Sequence, residues 1–254
     1  MNPLDFAISV ARDAGALLRE KLTQPRTIAE KRPHDLVTDA DSASERLIVA
    51  RIRAAFPNAS ILGEEGGDYA GDANERWIVD PLDGTTNYAH GYPMFCVSIA
   101  YERAGIVEAG AIYAPVLDAC FAAARDGGAT LDGVPIRVSR RARVGESLVC
   151  TGFMPAAYER NGRYFAAVSR VAQGVRRDGS AALDLAMVAA GRFDAFWERD
   201  LKPWDVAAGT LIINEAGGRV TAMDGTPLDL RAGSILATNG LVHAEMQSLL
   251  TAAD

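Results

Sequence analysis

Apolar residues recur at helical spacing from Leu4 to Leu22, where Phe6, Val10, Ala14, Leu17 and Leu18 share a face. That spacing predicts a helix. A second helix is expected after Thr38, with Thr38 and Asp39 as caps and Leu47, Ile48 and Ile52 as its buried stripe. Short strands are expected at Ser60–Leu62 and Trp77–Val79. The first ends in Gly63-Glu64-Glu65-Gly66-Gly67 and the second in a tight turn, Asp80-Pro81-Leu82-Asp83-Gly84. From Phe95 to Ala124 the pattern is strand-like, with turns near Arg103–Gly105 and Pro115–Asp118, and Gly127–Gly133 reads as a further turn.

The remainder alternates between the two periods. Strands are expected at Ser147–Thr151, Phe193–Trp197, Arg219–Met223 and Ile235–Thr238. Helices are expected at Tyr158–Val171, Ala181–Ala190, Asp205–Glu215 and Val242–Leu250. Ala181–Ala190 is apolar on nearly every side, with Asp184 its only charge, so it belongs inside the molecule. No linker-like or repeated segment divides the chain. It reads as a single domain, residues 1–254, of layered helices and sheets. Two lobes are expected, about residues 1–145 and 146–254.

A chain of 254 residues that is 49% apolar can bury a large core. Its formal charge of -7 argues against nucleic-acid binding through a general basic surface, so a bound anion needs local help. Cys96, Cys120 and Cys150 are widely spaced in apolar segments, which suits reduced core thiols of a cytoplasmic protein. Charged Asp5, Arg12 and Asp13 interrupt the N-terminal segment, so neither a signal peptide nor a membrane span is expected.

The acidic residues carry the chemical information. Glu64 and Glu65 follow one strand, and Asp80 and Asp83 follow the next. Pro81 restricts the backbone between the two aspartates, and Gly84 frees it afterwards. Such a segment can aim both carboxylates and the Leu82 carbonyl at one point. Crowded anionic oxygens call for a cation, and an all-oxygen set suits Mg²⁺ or Mn²⁺ better than zinc. Gly84, Thr85 and Thr86 then offer backbone N–H groups where a phosphate can dock. A cation site beside an anion site is what metal-assisted phosphate hydrolysis requires. Each feature alone has a plainer reading: DxxDG as a solvated turn, Asp205 after Trp204 as a helix cap, the two tryptophans as core. His34, His90 and His243 are scattered and read as structural.

Taken together, these segments resemble the inositol monophosphatase family across nearly the whole chain. The resemblance rests on Asp35-Leu36-Val37-Thr38-Asp39-Ala40-Asp41, Gly63-Glu64-Glu65 and Trp77-Ile78-Val79-Asp80-Pro81-Leu82-Asp83-Gly84-Thr85-Thr86-Asn87. Farther on it rests on Gly179-Ser180-Ala181-Ala182-Leu183-Asp184-Leu185, Trp204-Asp205-Val206-Ala207-Ala208-Gly209 and Glu215-Ala216-Gly217-Gly218. It implies an α/β layered αβαβα sandwich of the inositol monophosphatase and fructose-1,6-bisphosphatase type. It further implies a homodimer and a lithium-sensitive phosphatase acting on small phosphate monoesters with two or three Mg²⁺ ions per site.

By the same resemblance, Glu64, Asp80, the Leu82 carbonyl, Asp83 and Asp205 are metal ligands. Glu64 and Thr85 position the attacking water, with Asp41 in their network. Asp83, Gly84, Thr85, Gly179, Ser180, Ala181, Glu198 and Asp205 are expected to meet the substrate, Glu198 through a substrate hydroxyl. The chain departs from the family pattern at Arg125–Gly133, which is shorter by a residue or two and carries Asp132 where asparagine is common. Inositol 1-phosphate is the expected substrate. The same scaffold also suits a fructose-1,6-bisphosphatase, a histidinol phosphatase or a 3′-phosphonucleotide phosphatase, and Arg176 and Arg177 could meet a second phosphate. A regulatory partner of transcription or ribosome assembly is the alternative of a different kind.

Overall fold

The computed structural model describes residues 2–24, 27–153 and 157–254. In chain order its elements begin with α1 (Pro3–Leu22), the hairpin β1 (Ile28–Arg32) and β2 (Asp35–Thr38), and α2 (Asp39–Ala55). Then come β3 (Ala59–Gly63), β4 (Gly67–Tyr69), β5 (Asp72–Asp83) and α3 (Thr85–His90). A meander follows: β6 (Cys96–Arg103), β7 (Ile106–Ala114), β8 (Ala119–Ala124), β9 (Ala129–Leu131) and β10 (Val134–Pro135). The rest is β11 (Leu148–Thr151), α4 (Tyr158–Ser169), β12 (Gly174–Arg176), α5 (Ala181–Ala189), β13 (Ala195–Arg199), α6 (Pro203–Glu215), β14 (Arg219–Thr221), β15 (Ser234–Thr238) and α7 (His243–Ala253).

Strands β3 to β10 form an eight-stranded sheet in the order β10-β9-β8-β7-β6-β5-β3-β4, and β11 to β15 a five-stranded sheet in the order β12-β11-β13-β15-β14. Because side chains alternate along a strand, each sheet has two apolar faces. Val97, Ile99 and Tyr101 of β6 pack under α1 and α2 with Phe6, Val10 and Ile48. Cys96 and Ala100 face the other way, into a layer shared with α5 and α6. The second sheet repeats this: Phe196 and Ala237 enter the shared layer, while Trp197 and Leu236 pack with Tyr164 of α4 and Met246 of α7. The result is the expected αβαβα stack, with α5 and α6 between the sheets. Their near-uniform hydrophobicity follows from being covered on both sides. Trp77 is buried against Phe6, Phe56 and Tyr101, as core packing requires. All three cysteines are free and buried.

Several elements differ from the sequence reading. The Asp80–Asp83 segment is not a turn beyond a short strand; it is the bulged end of the twelve-residue β5. Gly127–Gly133 is not one turn, because β9 lies inside it and pairs with β8. At its far end Asp132 adopts φ +51°, a region asparagine and aspartate tolerate, and its carboxylate accepts from the Cys120 N–H and from Arg12. Helix α6 starts at Pro203, so Asp205 is its third residue and not its cap. The β1–β2 hairpin, β4 and β12 carried no readable alternation of apolar and polar residues.

Candidate active site

Strands β3 and β5 run parallel, with Gly63 opposite Val79. Glu64, the first residue beyond β3, therefore stands level with Asp80, which is still within β5. Beyond Asp80 the ladder to β6 is bulged: Asp80 faces Ser98 and Asp83 faces Cys96. Three steps on β5 thus match two on β6. The extra residue restores parity, so Asp80 and Asp83 project from the same face of the sheet. That face looks onto α6, whose Trp204 carbonyl accepts from the Ser98 hydroxyl at 3.2 Å. Asp205 stands in the first turn of α6, and its carboxylate accepts from the Lys202 N–H at 2.6 Å.

Each acidic group is held by specific donors. Asp83 Oδ2 accepts from the Ser180 hydroxyl at 2.6 Å and from the Ala182 N–H at 2.8 Å, at the N-terminus of α5. Asp80 Oδ1 accepts from the Leu82 N–H at 3.0 Å. Asp41, fully buried on α2, accepts at Oδ2 from the N–H (2.8 Å) and hydroxyl (2.6 Å) of Thr38, and at Oδ1 from the Thr85 hydroxyl at 2.9 Å. The same Thr85 hydroxyl lies 3.0 Å from the Leu82 carbonyl. Gly84, with φ +91°, turns the chain from β5 into α3. Ser44, also on α2, donates to the Pro81 carbonyl at 2.8 Å, so one face of α2 holds both ends of the Pro81–Thr85 segment.

The electrostatics are those of an acid cluster short of cations. Burial, then the charges of Glu64, Asp83 and Asp205, push the Asp80 carboxyl well above its ordinary range. Burial and neighbouring Asp83 do the same to Asp205. Asp83 is raised by burial against the opposing bonds from Ser180 and Ala182. Burial raises Glu64 to about 7, although the Lys31 ammonium 3.3 Å away opposes it. Lys31 also pairs with Glu65 at 2.5 Å. As they stand, no three of the described acid, imidazole or thiol side chains close on a single point. The set fits a hard divalent cation in donor chemistry and in unbalanced charge; it is not a finished cage.

A cavity of about 570 Å³ opens beside this cluster. Of the expected site residues, Asp83, Gly179, Ala181, Glu198 and Asp205 line it; Asp41, Glu64, Asp80, Leu82, Gly84, Thr85 and Ser180 do not. Glu198 arrives by the same strand logic as Glu64. Strands β11 and β13 are parallel with Thr151 opposite Trp197, so Gly152 meets Glu198 at the next level. A Cβ at residue 152 would lie 2.7 Å from the Glu198 carboxyl carbon. Burial and the charges of Asp205 and Asp83 raise Glu198, and Arg177 partly offsets them.

Sequence reasoning missed part of the wall. Asn87, His90 and Phe153 line the cavity, as does Arg177, whose sequence position suggests only a contact to a second phosphate. The Arg177 guanidinium lies 4.7 Å from the centre of the Phe153 ring and donates to the Phe153 carbonyl at 2.5 Å. Asn87 donates to the carbonyls of Met94 (2.6 Å) and Asp178 (2.7 Å), tying α3 to the loop before Gly179. Its place in the Asp80–Asn87 motif was its only sequence signal. His243 is buried and structural, as expected, while His34 and His90 line the cavity.

The sequence profile of the inositol monophosphatase family matches residues 2–253. An inositol-1-monophosphatase of Synechocystis is 45% identical over 98% of this chain and 88% of its own length. A protein of Pseudomonas aeruginosa named Nus factor SuhB is 43% identical over 94% of this chain and 92% of its own. The solved inositol monophosphatase of Anabaena superposes with a TM-score of 0.87 at 45% identity, covering 98% of this chain and 95% of that one.

Proposed function

The chain belongs to the inositol monophosphatase family and is a phosphoric monoester hydrolase, and from that premise we propose that it converts inositol 1-phosphate to inositol and phosphate with Mg²⁺. The observation that carries the metal dependence is the clustering of Glu64, Asp80, Asp83 and Asp205 around one end of β5, with Asp80 and Asp205 raised by burial and then by the charge of the others. Their carboxylates and the Leu82 carbonyl would hold two or three Mg²⁺ ions, with Mn²⁺ as a substitute. When bound, such cations offset charge on the phosphate and acidify water.

The protein's own part follows from its hydrogen bonds. Thr85 gives its proton to Asp41, which leaves hydroxyl lone pairs free to accept from the attacking water, with Glu64 as the second acceptor. Asp41 can take that acceptor role because Thr38 anchors its other oxygen. Gly84 and Thr85 meet the phosphate, and Gly179, Ser180, Ala181 and Glu198 meet the leaving group, with Glu198 accepting from a hydroxyl. The two-lobed reading suits this division: residues 1–145 supply Glu64, Asp80 and Asp83, and residues 146–254 supply Asp205 and Glu198. We also propose a homodimer, tested by sedimentation at micromolar concentration, and a cytoplasmic location. Among the described residues no helix is long and apolar enough to cross a membrane.

The testing experiment is phosphate release from inositol, fructose, histidinol and nucleotide phosphates. Inositol 1-phosphate should give the highest kcat/KM, and a tenfold preference for any other ester would overturn the substrate assignment. A second reading draws on the relatives named Nus factor: the protein would also act as a partner in transcription assembly. A pull-down with transcription factors that is indifferent to Mg²⁺ would support it.

A further inference from the structure

Glu45 lies one helical turn beyond Asp41 on the inner face of α2 and is only 3% exposed. Its oxygens are spent on a single segment. Oε2 accepts from the Glu65 N–H at 2.8 Å, and Oε1 from the Gly66 N–H at 2.6 Å and the Tyr69 hydroxyl at 3.0 Å. Among the described residues no lysine or arginine pairs with it. A buried carboxylate held by two successive backbone N–H groups and one hydroxyl is an anchor for the backbone that supplies them.

The turn is built for that close approach. A Cβ on Gly66 would overlap the Tyr69 hydroxyl and lie 2.5 Å from Glu45 Oε1, and one on Gly63 would lie 2.9 Å from Oε2. The two glycines flank Glu64 and Glu65, so the acidic pair sits where the chain closes over the carboxylate. Asp41 and Ser44 on the same helix face hold Thr85 and Pro81. Glu45 completes the arrangement by tying the other acidic segment to the same helix.

We infer that Glu45 is a positioning residue for the metal site, holding the Glu64–Gly66 turn so that Glu64 stands beside Asp80. This rests on the reading of Glu64 as a metal ligand. Glu45 itself meets neither metal nor substrate. In Glu45→Gln one acceptor oxygen becomes an NH₂ group that must face another donor. The turn is then released while size and packing stay nearly constant.

The test is Mg²⁺ titration calorimetry on Glu45→Gln, Gly66→Ala, Tyr69→Phe, Glu64→Gln and wild type, with Tm recorded for each. Glu45→Gln and Gly66→Ala should weaken Mg²⁺ binding about 10- to 100-fold, the range for groups that orient a ligand, with kcat recovering at saturating Mg²⁺. Tyr69→Phe leaves both backbone N–H bonds in place and should bind Mg²⁺ as wild type does. Wild-type Mg²⁺ affinity in Glu45→Gln, with or without a lower Tm, overturns the inference; if Glu64→Gln is then impaired, the metal site itself stands. Wild-type affinity in Glu64→Gln as well removes the site and the inference together. Should Glu45→Gln not fold, Gly66→Ala displaces the carboxylate together with the Tyr69 hydroxyl and Gly63→Ala presses the Glu45 carboxylate alone; unchanged affinity in both is equally contrary.

Discussion

Gly63 faces Val79 across a parallel pair of strands, so Glu64, the first residue beyond β3, stands level with Asp80 of β5. The bulge after Asp80 then brings Asp83 to the same face, toward Asp205 on α6. Asp80→Asn and Asp205→Asn each remove one charge and keep the shape. Both should lose activity by at least about a hundredfold at saturating Mg²⁺, roughly 2.7 kcal/mol of barrier. Both carboxyls are raised by burial and by like charges, so their ionised forms oppose folding at neutral pH. The same variants should consequently melt higher than wild type in chelator. Activity within about threefold of wild type for both would show that these are not ligands.

Ser180 sits 97 positions from Asp83, yet its hydroxyl is one of the donors that aim the Asp83 carboxylate. Ser180→Ala should weaken Mg²⁺ binding about tenfold, since a hydrogen bond to a charged group is worth about 1.5–3 kcal/mol and the Ala182 N–H remains. Calorimetric titration measures it, and an unchanged affinity would mean that Asp83 is placed by the bulge and α5 alone.

The Glu198 carboxylate occupies space that Gly152 leaves open. A bond to a substrate hydroxyl persists from ground state to transition state, so Glu198→Gln should raise KM for inositol 1-phosphate about ten- to a hundredfold with kcat little changed. Gly152→Ala should act in the same direction by displacing the carboxylate. Hydrolysis of p-nitrophenyl phosphate, which has no such hydroxyl, should be nearly unaffected in both. Equal losses for the two substrates would remove Glu198 from the specificity site.

His243 gives the pH dependence of stability. Thr221 donates to the Ala222 carbonyl, so it accepts from His243 Nε2; in the neutral ring Nδ1 is then the acceptor for the Thr238 hydroxyl, which also accepts from the Gly240 N–H. Burial, then the Arg219 charge, favours the neutral ring and lowers its pKa from 6.5 to about 4. An unfolded chain takes up this proton first. The contribution is complete above about pH 6.5 and is lost as pH falls from there toward 4, by up to about 1.4 kcal/mol per unit. Urea midpoints at several pH values should show this slope in wild type and a shallower one in His243→Gln. Parallel slopes would place the acid sensitivity elsewhere.

What could be read in the sequence was whatever periodicity carries. Phe6, Val10, Ala14 and Leu18 announced α1, and the apolar run of α5, interrupted only by Asp184, announced a helix enclosed between sheets. The acidic segments were legible as motifs. Their meeting at one site came from the family resemblance and not from the local pattern, because it depends on the parallel register of β3 with β5 and on one extra residue in β5. The inner face of α2 was only half legible: Ile48 and Ile52 fit a stripe, but Asp41, Ser44 and Glu45 are buried polar groups that a hydrophobic pattern assigns to solvent. The β1–β2 hairpin was invisible for a related reason: β1 is largely charged and β2 is only four residues long.

The central claim is that these carboxylates work through a bound divalent cation, and it is tested most directly by phosphate release from inositol 1-phosphate as Mg²⁺ is removed and returned. Chelated protein should release no phosphate above background, and stoichiometric excess of Mg²⁺ should restore the full rate, with Mn²⁺ restoring part of it. Undiminished hydrolysis in excess chelator would contradict the account.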